Sequence, residues 1–233
     1  MVTNKENRVA VYALKLDTSV NEQHFQYLLA KTSERIKQKM QKYRHKIDAY
    51  RSLFAESLAK YCIGQYTCIP CQGVVFQYLA NGKPYVELDH VHFNISHSGN
   101  WVVCAVSHKP VGVDIEQQLP NDLNDVAGFF SLQEQQDLFN RPKQEQLEYF
   151  YSLWTLKESF IKQTGEGFSR DLNSYSIQLN GGTIELCIEQ KLHDPVYFKQ
   201  YDIAPDYKMV VCAAVNDFAE LKEITLKQIV SYF

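Results

Sequence analysis

No stretch of this 233-residue chain is long and apolar enough to span a bilayer. Its first eight residues, Met1-Val2-Thr3-Asn4-Lys5-Glu6-Asn7-Arg8, lack the apolar core of a secretory leader. A cytoplasmic location with reduced thiols is therefore expected. Positive charge is also in short supply: 24 Lys and Arg face 27 Asp and Glu, for a net charge of −3. That argues against general nucleic-acid binding, which needs a basic surface, but leaves room for a local basic patch. Glycine loops that cradle phosphate are missing. There is no G-x-x-x-x-G-K-S/T, which excludes a P-loop enzyme, and no G-x-G-x-x-G after a strand, which argues against a dinucleotide-binding fold. The six cysteines give a lone C-x-x-C, Cys68 and Cys71, which reads as a redox pair or half a zinc site, with no second pair or H-x-x-x-H to complete the latter. Cys104 and Cys212 lie in apolar runs and read as small core residues. No linker and no low-complexity segment divides the chain.

What is present is an ordinary globular composition, 45% hydrophobic and 22% charged, enough for a real core. The pattern predicts a strand at 9–16, then a helix capped by Asn21 with Phe25, Leu28 and Leu29 on one side. A basic helical segment carries Arg35, Lys37, Lys39, Lys42, Arg44 and Lys46. An amphipathic helix over 47–63, a strand at 74–78 and a turn at Asn81-Gly82-Lys83-Pro84 follow. Asn94, Ser96, His97, Ser98 and Gly99 read as a polar turn, 101–106 and 111–116 as strands. A loop or short helix over 119–130 precedes Ser131 and Glu134, which match a capping box. The longest helix is expected over 144–164, stopped at Gly165-Glu166-Gly167, with strands at 174–179, 183–188, 196–201 and 209–214.

The halves echo each other. Val102-Val103-Cys104-Ala105 recurs as Val210-Val211-Cys212-Ala213, and Ser52-Leu53-Phe54 parallels Ser152-Leu153-Trp154. The run at 9–16 opens one half as 111–116 opens the other. This order suggests two similar subdomains meeting near Pro110, with a cleft between them.

Three groups of residues carry chemistry. In the strand at 111–116 side chains alternate, so Asp114 and Glu116 share a face, roughly 6–7 Å apart. That spacing suits a hard divalent cation such as Mg2+, and also a solvated strand end. On the long helix Glu158 falls on the apolar stripe of Leu147, Phe150, Tyr151, Trp154 and Ile161. Lys162 stands four residues on, placed to pair with Glu158. Such a pair suits a solvated helix face, or brings a third carboxylate and an ammonium into the cleft. Scattered cations, Lys39, Arg51, Lys83 and His97, complete the set. Carboxylates and cations together point to a phosphorylated ligand bound through metal and charge-assisted hydrogen bonds.

Three motifs resemble the signatures of the 4′-phosphopantetheinyl transferases: Phe93-Asn94-Ile95-Ser96-His97-Ser98-Gly99, Val111-Gly112-Val113-Asp114-Ile115-Glu116 and Leu153-Trp154-Thr155-Leu156-Lys157-Glu158-Ser159-Phe160-Ile161-Lys162. Order and spacing are most similar to the larger, monomeric Sfp-type branch, over nearly the whole chain. The resemblance implies an α+β fold of two pseudo-twofold subdomains, 1–110 and 111–233, each a small, mainly antiparallel sheet packed with a long helix, the active site between them. It implies coenzyme A as substrate and a serine of an apo acyl, aryl or peptidyl carrier protein as acceptor. Asp114, Glu116 and Glu158 would hold Mg2+, with Mn2+ as a substitute. His97, Lys39, Lys83 and Arg51 would contact the phosphates of coenzyme A, and Ser96 would help position them. Glu158 would assist as base and Lys162 would stabilise charge on the transferring phosphate or leaving group. Leu123 and Val126, apolar in a polar stretch, are expected to contact the carrier. The chain departs from the family at Glu166, where a basic residue is common, and at Ile36, where lysine is common. The rival readings are a Mg2+-dependent phosphohydrolase acting on coenzyme A, and a non-catalytic coenzyme A or carrier-binding module.

Overall fold

The structure, a computed structural model, describes residues 8–16, 22–167, 170–188 and 195–233. Asn21, the expected helix cap, lies outside these residues. The first half runs β1 (Ala10–Lys15), α1 (Glu22–Lys31), α2 (Glu34–Met40), α3 (Lys46–Thr67), β2 (Phe76–Tyr78), β3 (Pro84–Val86), β4 (His92–Ser98) and β5 (Trp101–Ser107). The second runs β6 (Val111–Gln117), α4 (Leu123–Val126), α5 (Leu132–Phe139), α6 (Lys143–Thr164), β7 (Ser176–Asn180), β8 (Thr183–Cys187), β9 (Tyr197–Tyr201), β10 (Tyr207–Ala213), β11 (Lys222–Ile224) and α7 (Leu226–Tyr232).

Two larger sheets, accompanied by the β2–β3 and β7–β8 hairpins, form an α+β fold. One has the order β11-β1-β5-β4 and the other β6-β10-β9. Among the described strands the β1–β11 pair alone is parallel, extended by a parallel bridge between Val9 and Phe218. The period-two alternation of the strands explains the layering. On β5, Val102, Cys104 and Val106 pack with α3 residues Leu53, Phe54 and Leu58. Trp101, Val103 and Ala105 face the other way, onto Val111, Val113 and Ile115 of β6 and Met209, Val211 and Ala213 of β10. Val210 and Cys212 of β10 turn outward to α6 residues Phe150, Leu153 and Phe160. The sheets thus pack face to face, with α3 covering one outer surface and α6 the other. Both faces of β5 are covered, so all seven of its residues are buried.

The internal echo has a structural counterpart. β1 pairs antiparallel with β5 under α3, as β6 pairs with β10 under α6. Cys104 and Cys212 occupy corresponding core positions beneath the two helices. The two units are not strictly sequential, because β11 adds to β1 and Ile229 of α7 packs in the α3 cluster. These elements were not read from the sequence, although Thr225 and Gln228 form a reciprocal capping box that marks the start of α7. The Ser131–Glu134 capping box is present as expected. Gly165 ends α6 at φ 77°, in the left-handed region that glycine enters without a Cβ clash. Beneath α6, the buried Lys157 ammonium meets Glu134 at 2.9 Å and donates to the carbonyls of Leu172 and Tyr175.

One expectation is corrected. Residues 94–98 are not a turn but most of β4, and the chain reverses only at Gly99, where φ is +52°. Asn94, Ser96 and Ser98 tolerate a strand because each finds its polar partner on β6, as described below. Among the described residues no helix is long and apolar enough to cross a membrane. The cysteines are free, with Cys68 exposed and Cys71 buried.

Candidate functional site

β6 is the edge strand of its sheet, and an edge carries N–H groups that need partners. Alternate side chains of β4 supply them. The Val113 N–H donates to Asn94 Oδ1 at 2.9 Å, and the Gln117 N–H donates to Ser98 Oγ at 3.0 Å. The serines then donate onward to the carboxylates: Ser96 Oγ to Asp114 Oδ1 and Ser98 Oγ to Glu116 Oε2, both at 2.9 Å. Asp114 and Glu116 therefore do share a face, the one turned toward α6. Asn94 and Ser98 were not assigned a role from sequence, yet their period-two spacing with Ser96 was the available signal.

α6 crosses this face at Gly112. A Cβ there would lie 2.0 Å from the Ser159 carbonyl and 2.4 Å from the Gln163 nitrogen. The missing side chain lets helix and strand approach closely enough for Lys162 to reach β6. Lys162 Nζ donates to Asp114 Oδ1 at 2.6 Å and to Ser96 Oγ at 3.0 Å. Its ion pair is with Asp114, which corrects the expected i,i+4 pairing with Glu158. The reason is burial: Asp114 is 2% exposed, and a buried carboxylate draws the nearest ammonium more strongly than a half-buried one.

The three carboxylates feel one another. Burial raises the pKa of Asp114 against the pull of Lys162. Glu116 is pushed up to about 7, first by burial and then by the Asp114 charge, with Glu158 adding to it. Glu158 is raised by burial and then by Asp114. Asp114 Oδ2 is buried without a hydrogen-bond partner. An all-oxygen donor set with one orphaned buried oxygen and mutual repulsion has the chemistry that a hard divalent cation satisfies. As the side chains stand, among the described residues no three acidic, His or Cys side chains converge as a ready coordination shell.

The cations divide into two places. His97 and Lys39 line a cavity of about 400 Å3 with Asn94, Ile36 and Tyr78. The His97 pKa is lowered by desolvation and then by the Arg51 guanidinium, with Lys162 and Lys39 adding repulsion. Arg51 itself is anchored, donating from Nε to the Gly99 carbonyl at 2.9 Å and pairing with Asp48 at 2.8 Å. Lys83 lies elsewhere. It donates to the Lys162 carbonyl near the end of α6 and lines a smaller cavity with His92, Phe93 and Gly165. Burial, then Lys162, lowers the Lys83 pKa. Ser96 stands on the carboxylate side of β4. Glu166 pairs with Arg170.

Leu123 and Val126 are half-buried on α4, packed toward the α6 core. The exposed apolar residues nearby are Leu119 (55%), Phe129 (50%) and Leu132 (78%). Phe130, by contrast, is buried. Phe129 stands edge-on to Trp154 of α6 at 5.7 Å between centroids.

Residues 110–212 match the 4′-phosphopantetheinyl transferase superfamily, and residues 19–109 match the N-terminal region of a 4′-phosphopantetheinyl transferase. The chain is 38% identical over 212 residues to the 4′-phosphopantetheinyl transferase Sfp of Bacillus subtilis (strain 168), covering 90% of this chain and 94% of that one. The chain belongs to the 4′-phosphopantetheinyl transferase family. Within this family it is of the Sfp type. Two further 4′-phosphopantetheinyl transferases extend the likeness. Psf-1 of Bacillus pumilus is 41% identical over 187 residues, 79% of each chain. Gsp of Aneurinibacillus migulanus is 34% identical over 208 residues, 89% of this chain and 87% of that one. As a phosphopantetheinyl transferase of this type, the chain places its motif residues Ser96, Asp114 and Lys162 in direct contact.

Proposed function

We propose that this protein transfers the 4′-phosphopantetheine group of coenzyme A to a serine of an apo-carrier protein, in a Mg2+-dependent reaction that releases adenosine 3′,5′-bisphosphate. Family membership over most of the chain supports the activity. The observation that carries the mechanism is the buried Asp114 carboxylate, one oxygen held by Lys162 and Ser96 and the other without a partner. Asp114, Glu116 and Glu158 would hold the ion. When bound, Mg2+ or Mn2+ supplies positive charge that offsets the repulsion between the anionic pyrophosphate and an incoming nucleophile.

The remaining work falls to side chains of this protein. The carrier serine oxygen forms a bond to the phosphorus that carries pantetheine. The bond from that phosphorus to the oxygen of the adenosine bisphosphate breaks. The serine proton passes to Glu158, directly or through water, a carboxylate whose raised pKa suits it to accept a proton. The Lys162 ammonium offsets the charge that develops on the transferring phosphate and leaving group. His97 and Lys39, with Arg51 and Lys83, bind coenzyme A phosphates, and Ser96 fixes the Asp114 carboxylate. The cleft lies between subdomains 1–110 and 111–233, with β11 and α7 of the second crossing over onto the first, and since one chain supplies both walls, a monomer suffices. Six free cysteines suit a reducing cytoplasm. The carrier docks beside α4, with Leu123 and Val126 joined by the more exposed Leu119, Phe129 and Leu132.

The test is incubation with coenzyme A, Mg2+ and a panel of apo-carriers, read by mass spectrometry. The expected result is a carrier heavier by one phosphopantetheine. Degradation of coenzyme A with every carrier unmodified would replace this reading with a phosphohydrolase, and tight binding without turnover would replace it with a binding module.

A further inference from the structure

The cavity on the outer side of β4 holds a cation that the motifs do not include. Arg35, on α2, lines it together with Lys39 and His97. The Arg35 guanidinium lies over the Tyr78 ring, 4.0 Å from its centroid. Stacking of this kind fixes the plane of the guanidinium while leaving its edge N–H groups free to donate. Gly82, at φ +83°, borders the same cavity, and a Cβ there would stand 3.9 Å from an Arg35 Nη.

The charge balance of the cavity is unequal. Its one carboxylate is Glu56, 4% exposed, which accepts from the Ser33 N–H at 2.8 Å and the Ser33 hydroxyl at 2.6 Å and pairs with Lys60 at 3.0 Å. Its charge is already answered. Among the described residues, Arg35, Lys39 and His97 form no ion pair. Three nitrogen cations or potential cations therefore converge on about 400 Å3 with no anion of the protein to pair with them. Ile36, beside Arg35 in the chain, lines the cavity without charge. A guanidinium stacked on an aromatic ring with free edge donors suits a phosphate, which it can meet with two parallel hydrogen bonds.

Resting on the transferase reading above, we propose that Arg35, held by Tyr78, binds the phosphate of coenzyme A that is remote from the reacting bond, and so sets the preference for coenzyme A over its dephospho form. The reacting pyrophosphate belongs beside the Asp114 carboxylate and Lys162. Arg35 shares its cavity with His97 instead, on the opposite side of β4 from Ser96. The other phosphate of coenzyme A, the one on the ribose, is the group left for it.

The experiment is calorimetric binding of coenzyme A and of dephospho-coenzyme A to the wild type and to Arg35→Ala, Arg35→Lys, Tyr78→Ala and Tyr78→Phe, with steady-state kinetics alongside. Arg35→Ala should weaken coenzyme A binding about tenfold or more, as expected for loss of a charge-assisted contact. The loss should fall on KM more than on kcat. Dephospho-coenzyme A should show little of this penalty. Tyr78→Ala should lose part of the affinity and Tyr78→Phe should keep it, because the ring and not the hydroxyl holds the guanidinium. Arg35→Lys should recover less than half of the loss, since an ammonium is a point charge. Equal binding of coenzyme A by the wild type and Arg35→Ala overturns the assignment, as does an equal penalty on dephospho-coenzyme A. A wild type that binds no coenzyme A overturns the transferase reading along with it, so the two failures are distinguishable.

Discussion

Lys162 and Asp114, 48 residues apart, meet at 2.6 Å across the junction of α6 and β6, with Ser96 of β4 donating to the same carboxylate oxygen. One oxygen of Asp114 is thus held by both an ammonium and a hydroxyl, while the other is buried without a hydrogen-bond partner. Three chain segments, β4, β6 and α6, have to be in register for this arrangement.

Asp114→Asn keeps the shape of the side chain and removes its charge. The expected result is a fall in kcat/KM of about a hundredfold or more, because the charge stabilisation a bound ion supplies amounts to several kcal/mol. Mn2+ binding, followed by electron paramagnetic resonance, should weaken in parallel, while the thermal transition stays close to that of the wild type. Unaltered Mn2+ affinity in this variant would remove Asp114 from the ligand set.

Gly112→Ala tests the close approach of α6 and β6. Its Cβ would sit 2.0 Å from the Ser159 carbonyl, so helix and strand must part. Overpacking of this kind costs about 1–3 kcal/mol. Chemical denaturation should show that loss. Transfer activity should fall further than the fraction folded accounts for, since Lys162 moves with the helix. Full stability would mean that the two elements slide apart freely.

His97→Ala should raise the KM for coenzyme A roughly ten- to a hundredfold, with a smaller effect on kcat. The pH dependence has a definite sign. Desolvation and the Arg51, Lys162 and Lys39 charges hold the imidazole below its ordinary value, so it is mostly neutral at pH 7.5 in the free protein. A phosphate favours the imidazolium. Binding of coenzyme A should therefore take up protons at pH 7.5, and affinity should rise as pH falls toward 6. Calorimetry in buffers of different ionisation enthalpy measures the uptake. If His97→Ala takes up as many protons as the wild type, the linked group is another one.

The carrier surface is probed by Phe129→Ser and Leu132→Ser, with Leu123→Ser and Val126→Ser beside them. Phe129 and Leu132 are exposed and should raise the carrier KM about tenfold each, leaving the coenzyme A Kd as it was. Leu123 and Val126 are half-buried against α6, so their variants should lose stability as well as carrier affinity. An unchanged carrier KM across all four moves the docking surface elsewhere.

The sequence by itself determined most of the elements, with β4, β11 and α7 among the exceptions, and the chemistry carried on each. Period-two alternation placed Asp114 and Glu116 on one face, and the echo of Val102-Val103-Cys104-Ala105 in Val210-Val211-Cys212-Ala213 marked two similar units. The Ser131–Glu134 capping box and the stop at Gly165 were legible because caps and glycine turns are local in sequence. Tertiary structure decided what depends on partners distant in the chain. A run such as Asn94 to Ser98 is polar enough for a turn, and it becomes a strand because the open edge of β6 and its carboxylates satisfy alternate side chains. Spacing along a helix offered Lys162 to Glu158, but the bare backbone of Gly112 brought α6 against β6 and gave the ammonium a buried carboxylate instead. The stacking of Arg35 on Tyr78 joins residues 43 positions apart across one cavity, and no local pattern records such a contact. Local rules fix the direction in which a side chain leaves its element, whereas burial and long-range packing select which of the available partners it meets.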